Sequence, residues 1–275
     1  MWVRNYRTLA AVAVALSCSA DQGLPAPTAE SANGRLDLQP AFVVEAANIG
    51  QNLGFADFNG DTYEDMAISQ GTTEGAIIVR FAGTAVSDQL LRPVTGQAFG
   101  LALTTGDFNG DGLQDLAAAQ GDAPGAALHV FQGSSDGLVN EDRLYYVDLD
   151  DVDPSGGLNV AAAGDMNGDG YTDLALSEPA GDRVHLYVGS PAGPILAVSI
   201  ERSGGFGAAV AGIGDFNRDG YDDLVVGAPD ADHGRGRVHL LYGSEFLDGG
   251  ESILEGALAG DLFGANIAAL GDISR

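Results

Sequence analysis

Residues 215–224 read DFNRDGYDDL, and three earlier stretches of the chain repeat this pattern almost residue by residue. The earlier copies read DFNGDTYEDM at 57–66, DFNGDGLQDL at 107–116 and DMNGDGYTDL at 165–174. A fifth copy begins in residues 272–275, and successive copies start 50, 58, 50 and 57 residues apart. A period of this length indicates a repeat architecture in which each copy belongs to one structural unit.

Short apolar runs recur in phase with these acidic copies. One run follows each copy directly, as in LVVGAP at 224–229, and a second ends in Gly-Ser, as in RVHLLYGS at 237–244. Short runs rich in Val, Leu, Ile and Tyr and bounded by Gly, Asp and Ser are typical of β-strands. A unit of this length with three or four strands fits one blade of a β-propeller, which needs neighbouring blades for stability. The sequence therefore predicts an all-β fold over residues 41–275, with four propeller blades and part of a fifth.

The charge of the chain restricts its partners. Asp and Glu number 39 against 12 basic residues, all of them Arg, and the net charge is −27. Such a charge repels phosphate backbones and anionic lipids, so we expect no nucleic-acid binding. The hydrophobic content of 45% is too high for a disordered acidic chain.

The first 40 residues are predicted to lie outside the folded domain. Arg4 and Arg7 precede the apolar run 9–16, which is too short to span a membrane, so residues 1–20 are predicted to be a signal peptide. Residues 21–40 are rich in small residues and Pro and are predicted to be a flexible tether.

Cys18 is the only cysteine and lies where the apolar run ends. Its setting resembles a bacterial lipoprotein processing site, in which Cys18 would carry the lipid. The alternative is ordinary cleavage after Ala20, which would remove Cys18 from the mature chain. Both alternatives predict export, either to the bacterial cell surface or outer membrane as a lipoprotein or as a secreted protein. Contact with a membrane is expected only through the lipid.

A second set of landmarks frames the acidic copies. Gly227-Ala-Pro229 follows the fourth copy. A Phe-Gly pair stands eight or nine residues before three of the copies, at Phe99–Gly100, Phe206–Gly207 and Phe263–Gly264. Ile49–Gly50 and Gly156–Gly157 replace the pair in the first and third copies. This frame resembles the FG-GAP repeat of integrin alpha-chain propellers and their bacterial VCBS/FG-GAP relatives. Integrin-type relatives have seven blades, so the resemblance implies an open arc of blades from a fragment or truncated chain.

The acidic residues of each copy alternate along a nine-residue loop, whose positions we number 1 to 9 from the first Asp. Carboxylates spaced in this way cannot share a helix face, and a strand tolerates like charges in a row poorly. In a tight loop they can all point at one cation, and Ca²⁺ accepts about six to eight oxygen ligands. The predicted ligands are the side chains at positions 1, 3, 5 and 9 and the carbonyl at position 7. They are Asp57, Asn59, Asp61, Tyr63 and Asp65 in loop 1; Asp107, Asn109, Asp111, Leu113 and Asp115 in loop 2; Asp165, Asn167, Asp169, Tyr171 and Asp173 in loop 3; and Asp215, Asn217, Asp219, Tyr221 and Asp223 in loop 4.

Position 6 of the loop distinguishes the four sites. Gly112 can supply the positive φ that turns the chain around an ion. Thr62 occupies this position in loop 1, and a β-branched residue suits positive φ poorly. We therefore expect loop 1 to bind calcium most weakly.

Three histidines recur in the repeats, but their spacing argues against a shared metal centre. His129, His185 and His239 precede equivalent glycines in successive repeats, so rotation about a propeller axis keeps them too far apart to share one ion. His233 has no evident catalytic partner, and the sequence contains no nucleophile elbow, HExxH motif or phosphate-binding loop. An extra acidic cluster, Asp148, Asp150, Asp151 and Asp153, is read as a solvated connection or an additional cation site. We expect no catalytic residues.

Together these features predict an exported, calcium-binding propeller scaffold that presents loops for adhesion or ligand binding. The expected partner is an extracellular protein or glycan. Two alternatives remain at this point. One is a carbohydrate-binding, lectin-like propeller, and the other is the accessory propeller of a secreted hydrolase or lyase.

Overall fold

The computed structural model describes residues 49–70, 75–83, 87–92, 98–121, 126–139, 145–148, 152 and 156–269. All of them belong to the compact unit Ala47–Arg275. The predictions for the signal peptide, the tether, Cys18 and the fifth acidic copy lie outside the described residues. So do Asp150, Asp151 and Asp153 of the extra acidic cluster.

The described residues form four antiparallel sheets of four strands each, and the strands of every sheet follow one another in sequence. Blade 1 contains β1 (Ile49–Ala56), β2 (Asp65–Gln70), β3 (Ala76–Arg80) and β4 (Gln89–Leu91). Blade 2 contains β5 (Phe99–Gly106), β6 (Asp115–Gln120), β7 (Ala127–Phe131) and β8 (Tyr145–Asp148). Blade 3 contains β9 (Asn159–Gly164), β10 (Asp173–Glu178), β11 (Arg183–Val188) and β12 (Ile195–Glu201). Blade 4 contains β13 (Ala209–Gly214), β14 (Asp223–Ala228), β15 (Arg237–Leu241) and β16 (Glu251–Glu255).

These sheets confirm the predicted all-β blade architecture, and the four blades formed by the described residues do not close a ring. The first strands β1, β5, β9 and β13 contact one another in that order, so consecutive blades are neighbours. Each acidic loop joins the first strand of its blade to the second, which begins at loop position 9. The loops therefore occupy the same place in every blade. No helix within the described part of the chain is long and apolar enough to cross a membrane.

Alternate residues of each strand point to opposite faces of the blade. We call the face turned toward the next blade along the chain the forward face and the opposite one the rear face. Between blades 3 and 4, for example, Met166 and Val184 of the forward face pack with Phe206 and Leu224 of the rear face. Equivalent apolar clusters fill the interfaces of blades 1 and 2 and of blades 2 and 3. The core of the protein is thus a series of blade interfaces.

The Phe-Gly and Gly-Ala-Pro landmarks meet at these interfaces. A Cβ atom added to Gly207 would lie 3.0 Å from the Cβ of Ser177, the residue at the place of the Gly-Ala-Pro glycine in blade 3. A Cβ atom added to Gly227 would lie only 1.9 Å from the carbonyl oxygen of Gly264. The glycines therefore allow the backbone of one repeat to approach that of the next.

Candidate metal centres

The Asp at position 1 closes each loop by accepting backbone N–H groups. In loop 2, Asp107 Oδ1 accepts from Gly110 and Asp111 at 2.7 and 3.1 Å, and Oδ2 accepts from Gly112 at 2.9 Å. Asp57 and Asp165 bind the three equivalent amides of their own loops. These bonds draw the loop into one turn around the carboxylate and compensate part of its charge.

Positions 3 and 5 join the same turn. Asn109 Oδ1 accepts from the Asp111 amide at 2.8 Å, Asn109 Nδ2 donates to Asp111 Oδ2 at 3.0 Å, and Asp111 Oδ1 accepts from the Leu113 amide at 2.9 Å. The same three hydrogen bonds occur in loops 1, 3 and 4. The structure thus gathers the predicted side chains of positions 1, 3 and 5 in every loop.

Position 9 is held differently. Asp115 is fully buried, and its two oxygens accept from the amides of Phe108 at 3.0 Å and Gly133 at 2.9 Å. The carboxylate therefore fastens loop position 2 to Gly133, two residues beyond the end of the third strand of the same blade. Burial raises the pKa of Asp115 to about 7, against the lowering effect of the two amides. Burial raises the pKa of Asp173 to about 7 in the same way.

Asp115 thus accepts the amides of Phe108 and Gly133, whereas Asp107 and Asp111 accept amides of the turn itself. Within the described residues, no three His, Cys, Asp or Glu side chains lie close enough together to hold a metal ion. The donor chemistry nevertheless suits Ca²⁺, because positions 1, 3, 5 and 7 offer only carboxylate, amide and carbonyl oxygens. Each carboxylate oxygen has two acceptor sites, so one amide hydrogen bond does not exhaust it. Calcium binding remains a prediction.

The backbone of the loops has the predicted left-handed turn. At position 6, φ is +88° for Gly112, +91° for Gly170 and +97° for Gly220, and Thr62 adopts +73°. Thr62 is thus a β-branched residue in a conformation that costs about 1–2 kcal/mol for residues other than glycine. Position 4 also has positive φ in all four loops, which the sequence analysis missed although three loops carry Gly there. Arg218 holds this conformation in loop 4, at +64°.

The loops also belong to the blade interfaces, which the sequence analysis did not anticipate. The amide of Ser190 in blade 3 donates to the carbonyl of Phe108, at position 2 of loop 2, at 3.1 Å. The amide of Thr172 donates to the carbonyl of Asp107 at 3.1 Å. A Cβ on Gly189 would approach the Phe108 carbonyl to 3.0 Å, which explains the glycine before Ser190. The recurring Gly-Ser dipeptide is the sequence signal for this contact.

The repeated histidines lie on the rear faces of blades 2, 3 and 4 and bind partners within their own blades. His129 Nε2 lies 2.6 Å from Gln120 Oε1, and His185 Nδ1 lies 2.8 Å from Ser199 Oγ. His239 pairs with Glu251. Burial lowers the pKa of His129 to about 4.

Blade 1 has an aliphatic residue at the place of the repeated histidines. Counting residues back from Gly83 would align Val79 with these histidines. The strand register aligns Ile78 with them instead, because Ile68 pairs with Ile78 in blade 1 just as Ala118 pairs with His129 in blade 2. His233 lies at a hairpin tip with its side chain 93% exposed and faces Asp232.

Parts of the chain match family models of a known repeat. Residues 157–196 and 206–241 match the FG-GAP repeat, and residues 107–176 match the FG-GAP-like repeat. A solved structure titled "Structure of Dos1 propeller" is similar over 69% of this chain and 43% of that chain, with a TM-score of 0.45 and 11% identity. This chain therefore spans less than half of that propeller's length. A comparison with curated protein sequences finds no match. The repeat matches and the four sequential sheets agree: residues 107–241 carry FG-GAP and FG-GAP-like repeats, and these repeats form blades of a β-propeller.

Proposed function

We propose that the chain is an exported, calcium-binding propeller scaffold that presents loops for adhesion or ligand binding and performs no catalysis. The observation that carries the proposal is the repetition of one loop geometry. In four successive blades the same hydrogen bonds draw the oxygen-bearing side chains of positions 1, 3 and 5 into one turn. Turns that offer only oxygen ligands suit hard cations such as Ca²⁺, whereas soft metal ions such as Cu⁺ prefer sulfur ligands.

The electrostatics of the loops favour a cation. Each loop concentrates the carboxylates of positions 1, 5 and 9 in nine residues, and the chain as a whole carries a charge of −27. The raised pKa of Asp115 and Asp173 reflects the cost of a buried negative charge. A divalent ion near these groups would offset that cost and the repulsion within the loop. The side chains of positions 1, 3, 5 and 9 and the carbonyl of position 7 would hold it.

The ion would act as a structural cross-link. Carbonyl groups at loop positions 1 and 2 already accept hydrogen bonds from the following blade, as Asp107 and Phe108 do from blade 3. An ion that fixes the loop therefore also fixes the interface between blades. The affinity expected for an extracellular module is about 10⁻⁴–10⁻³ M.

Thermal unfolding with calcium or chelator tests the calcium proposal. At a calcium concentration of about 100 times the dissociation constant, each site stabilises the fold by about 2.7 kcal/mol, so the melting temperature rises well above its value in EDTA. Asp111→Asn reduces the rise, whereas Asp136→Asn, an exposed carboxylate outside the loops, leaves it unchanged. Equal melting temperatures in calcium and EDTA, together with no heat of binding by calorimetry, would contradict the proposal.

The ligand class needs a separate experiment. Purified mature chain is passed over immobilised extracellular matrix proteins and over a glycan array, each in millimolar calcium and in EDTA. Calcium-dependent capture by proteins supports the adhesion function. Binding confined to glycans would replace it with the lectin alternative, and turnover of glycans on the array would indicate a hydrolase or lyase.

Export and lipid attachment are proposed from residues 1–20 alone. Membrane fractionation and intact-mass analysis of the chain expressed in a bacterium, compared with Cys18→Ser, test them. A lipid-sized mass increase that Cys18→Ser abolishes supports the anchor. A mature chain that begins after Ala20 supports secretion without a lipid, and an unprocessed chain argues against export.

A further inference from the structure

Position 2 of the acidic loops is apolar in every blade but buried in only three. Phe58 and Phe108 are 0% exposed and Met166 is 2% exposed, because each lies under the next blade. Phe216, the equivalent residue of blade 4, is 66% exposed. The difference therefore comes from the absence of a covering sheet over Phe216 within the described residues.

The rest of the forward face of blade 4 follows the same pattern. Strand register equates Val225 with Ala175, Leu240 with Leu186 and Leu254 with Ile200. Ala175 and Leu186 are buried in the interface with blade 4, and Ile200 packs against it. Leu254 is 58% exposed, and Val225 and Leu240 are half-buried. Blade 4 thus presents an apolar interface surface built like the three covered ones.

The chain also places the start of the next repeat on this blade. Phe263 forms a parallel bridge with Gly236, and its amide donates to the carbonyl of Arg235 at 3.2 Å. A Cβ on Gly264 would lie 3.1 Å from Val238 Cγ2, just as a Cβ on Gly207 would lie 3.5 Å from Val184 Cγ2 in the preceding blade. Phe263–Gly264 therefore contacts blade 4 as Phe206–Gly207 contacts blade 3.

Blade 1, the other open end of the arc, does not suit this surface. Blades 2, 3 and 4 present Phe131, Tyr187 and Leu241 at the rear-face position where β3 has Arg80. Arg80 is ion-paired with Asp88, with 3.0 Å between Nε and Oδ1. In the other blades, a glycine approaches the backbone of the acidic loop of the preceding blade. Ala82 replaces this glycine in blade 1, so its Cβ would meet that backbone if blade 1 packed on another blade. The rear face of blade 1 therefore cannot pack on blade 4 as blades 2, 3 and 4 pack on their preceding blades. This holds both for ring closure within one chain and for docking of a second copy.

We propose that the forward face of blade 4, formed by Phe216, Val225, Leu240 and Leu254, is the docking surface for a fifth blade that begins at Phe263–Gly264. This blade is a four-stranded antiparallel sheet whose rear face is apolar at the positions of Leu224, Val226 and Leu241. A residue other than Tyr fits best at position 7 of its acidic loop. Tyr171 and Tyr221 pack over Gly110 and Gly168 at position 4 of the preceding loop, and Arg218 fills that place in loop 4.

An extended chain tests the proposal. Residues 263–275 are replaced by a second copy of residues 206–262, and Phe216→Trp serves as the reporter, with Trp2→Phe in every variant so that the reporter is the sole Trp. We expect acrylamide quenching of the reporter to fall several-fold in the extended chain and the melting temperature to rise by about 5 °C or more. Phe246→Trp, at an exposed residue outside this face, keeps the same quenching in both chains. Arg218→Gly raises the melting temperature of the extended chain further, because the copied Tyr221 then regains its glycine.

Three results would overturn the proposal. One is equal quenching at position 216 with and without the added blade, and another is an extended chain that melts below the parent. The third is found in the parent chain itself. If it sediments as a dimer that Phe216→Glu converts to a monomer, the occupant of the face is a second copy. A monomeric parent whose binding of a hydrophobic dye falls with Phe216→Glu and not with Phe246→Glu has the open face that the proposal requires.

Discussion

The forward face of blade 3 is covered by blade 4, whereas most of the equivalent face of blade 4 is open, although both faces are apolar. Met166 is buried and Phe216 is exposed at the same loop position. The apolar side chains of a blade therefore suit packing against an adjacent blade, because a single blade buries little of its own apolar surface. Exposure in this protein depends on the place of a blade in the arc more than on its own sequence.

The largest expected effect comes from truncating position 2 in a covered and in an open loop. Phe108→Ala leaves a cavity between blades 2 and 3 and is expected to cost about 3–5 kcal/mol in the free energy of unfolding. Phe216→Ala removes an exposed ring and is expected to change it by about 0.5 kcal/mol or less. Urea unfolding of both variants measures the difference. Equal losses would mean that the open face is covered in solution.

The buried carboxylates at position 9 give the next comparison. Asp115→Ala leaves the amides of Phe108 and Gly133 without acceptors beneath blade 3, which is expected to cost about 2–4 kcal/mol. Asp223→Ala frees the amides of Phe216 and Gly243, but the first lies at the open end of the arc where water can reach it. We therefore expect Asp223→Ala to cost about 1 kcal/mol less. The same unfolding assay in EDTA measures both, and a larger loss for Asp223→Ala would contradict the comparison.

The burial of His129 in a covered interface can be tested through the pH dependence of the unfolding free energy. His129 lies in the interface of blades 1 and 2, where burial lowers its pKa to about 4, below the usual 6.5. The unfolded chain takes up the proton first, so the stability that neutral His129 supports is lost as pH falls from about 6.5 to 4. The advantage of the wild type over His129→Gln should therefore shrink by about 2 kcal/mol between pH 7 and pH 5. The exposed His233→Gln serves as the control and should show no such change.

Much of the fold could be predicted from residues whose requirements are local. The alternation of apolar strands and the Asp-x-Asn-x-Asp loops determine each blade, and the positive φ expected at Gly112 is present. The identity of the strands within a blade follows from the same repeats. These features arise from backbone geometry and from contacts within some ten residues, so the sequence carries them directly.

The environment of the site was harder to predict because it depends on contacts outside the loop, both within the same blade and with the next blade. The sequence predicted Asp115 and its equivalents as calcium ligands alongside positions 1, 3 and 5, and it gave no indication that two backbone amides hold them. Nor did it distinguish Phe216 from Phe108, since both follow an Asp and precede an Asn. One of the two amides lies 18 residues from Asp115, and the cover over Phe108 comes from the next repeat, so no local pattern records either feature.

The smallest expected effect concerns the strain within the loops, which should be independent of cover. Thr62 in covered loop 1 and Arg218 in open loop 4 both have positive φ, at +73° and +64°. Substitution by glycine relieves this strain but adds freedom to the unfolded chain, so each variant should gain about 0.5–1 kcal/mol at most. Thr62→Gly should gain more, because its β-branched side chain is less tolerant of this conformation. It should also raise the calcium affinity of loop 1 about two- to fivefold by calorimetry, while Gly112→Thr weakens loop 2 by a similar factor. If only Arg218→Gly gained stability, the covering blade, and not the backbone conformation, would determine how much glycine stabilises the loop.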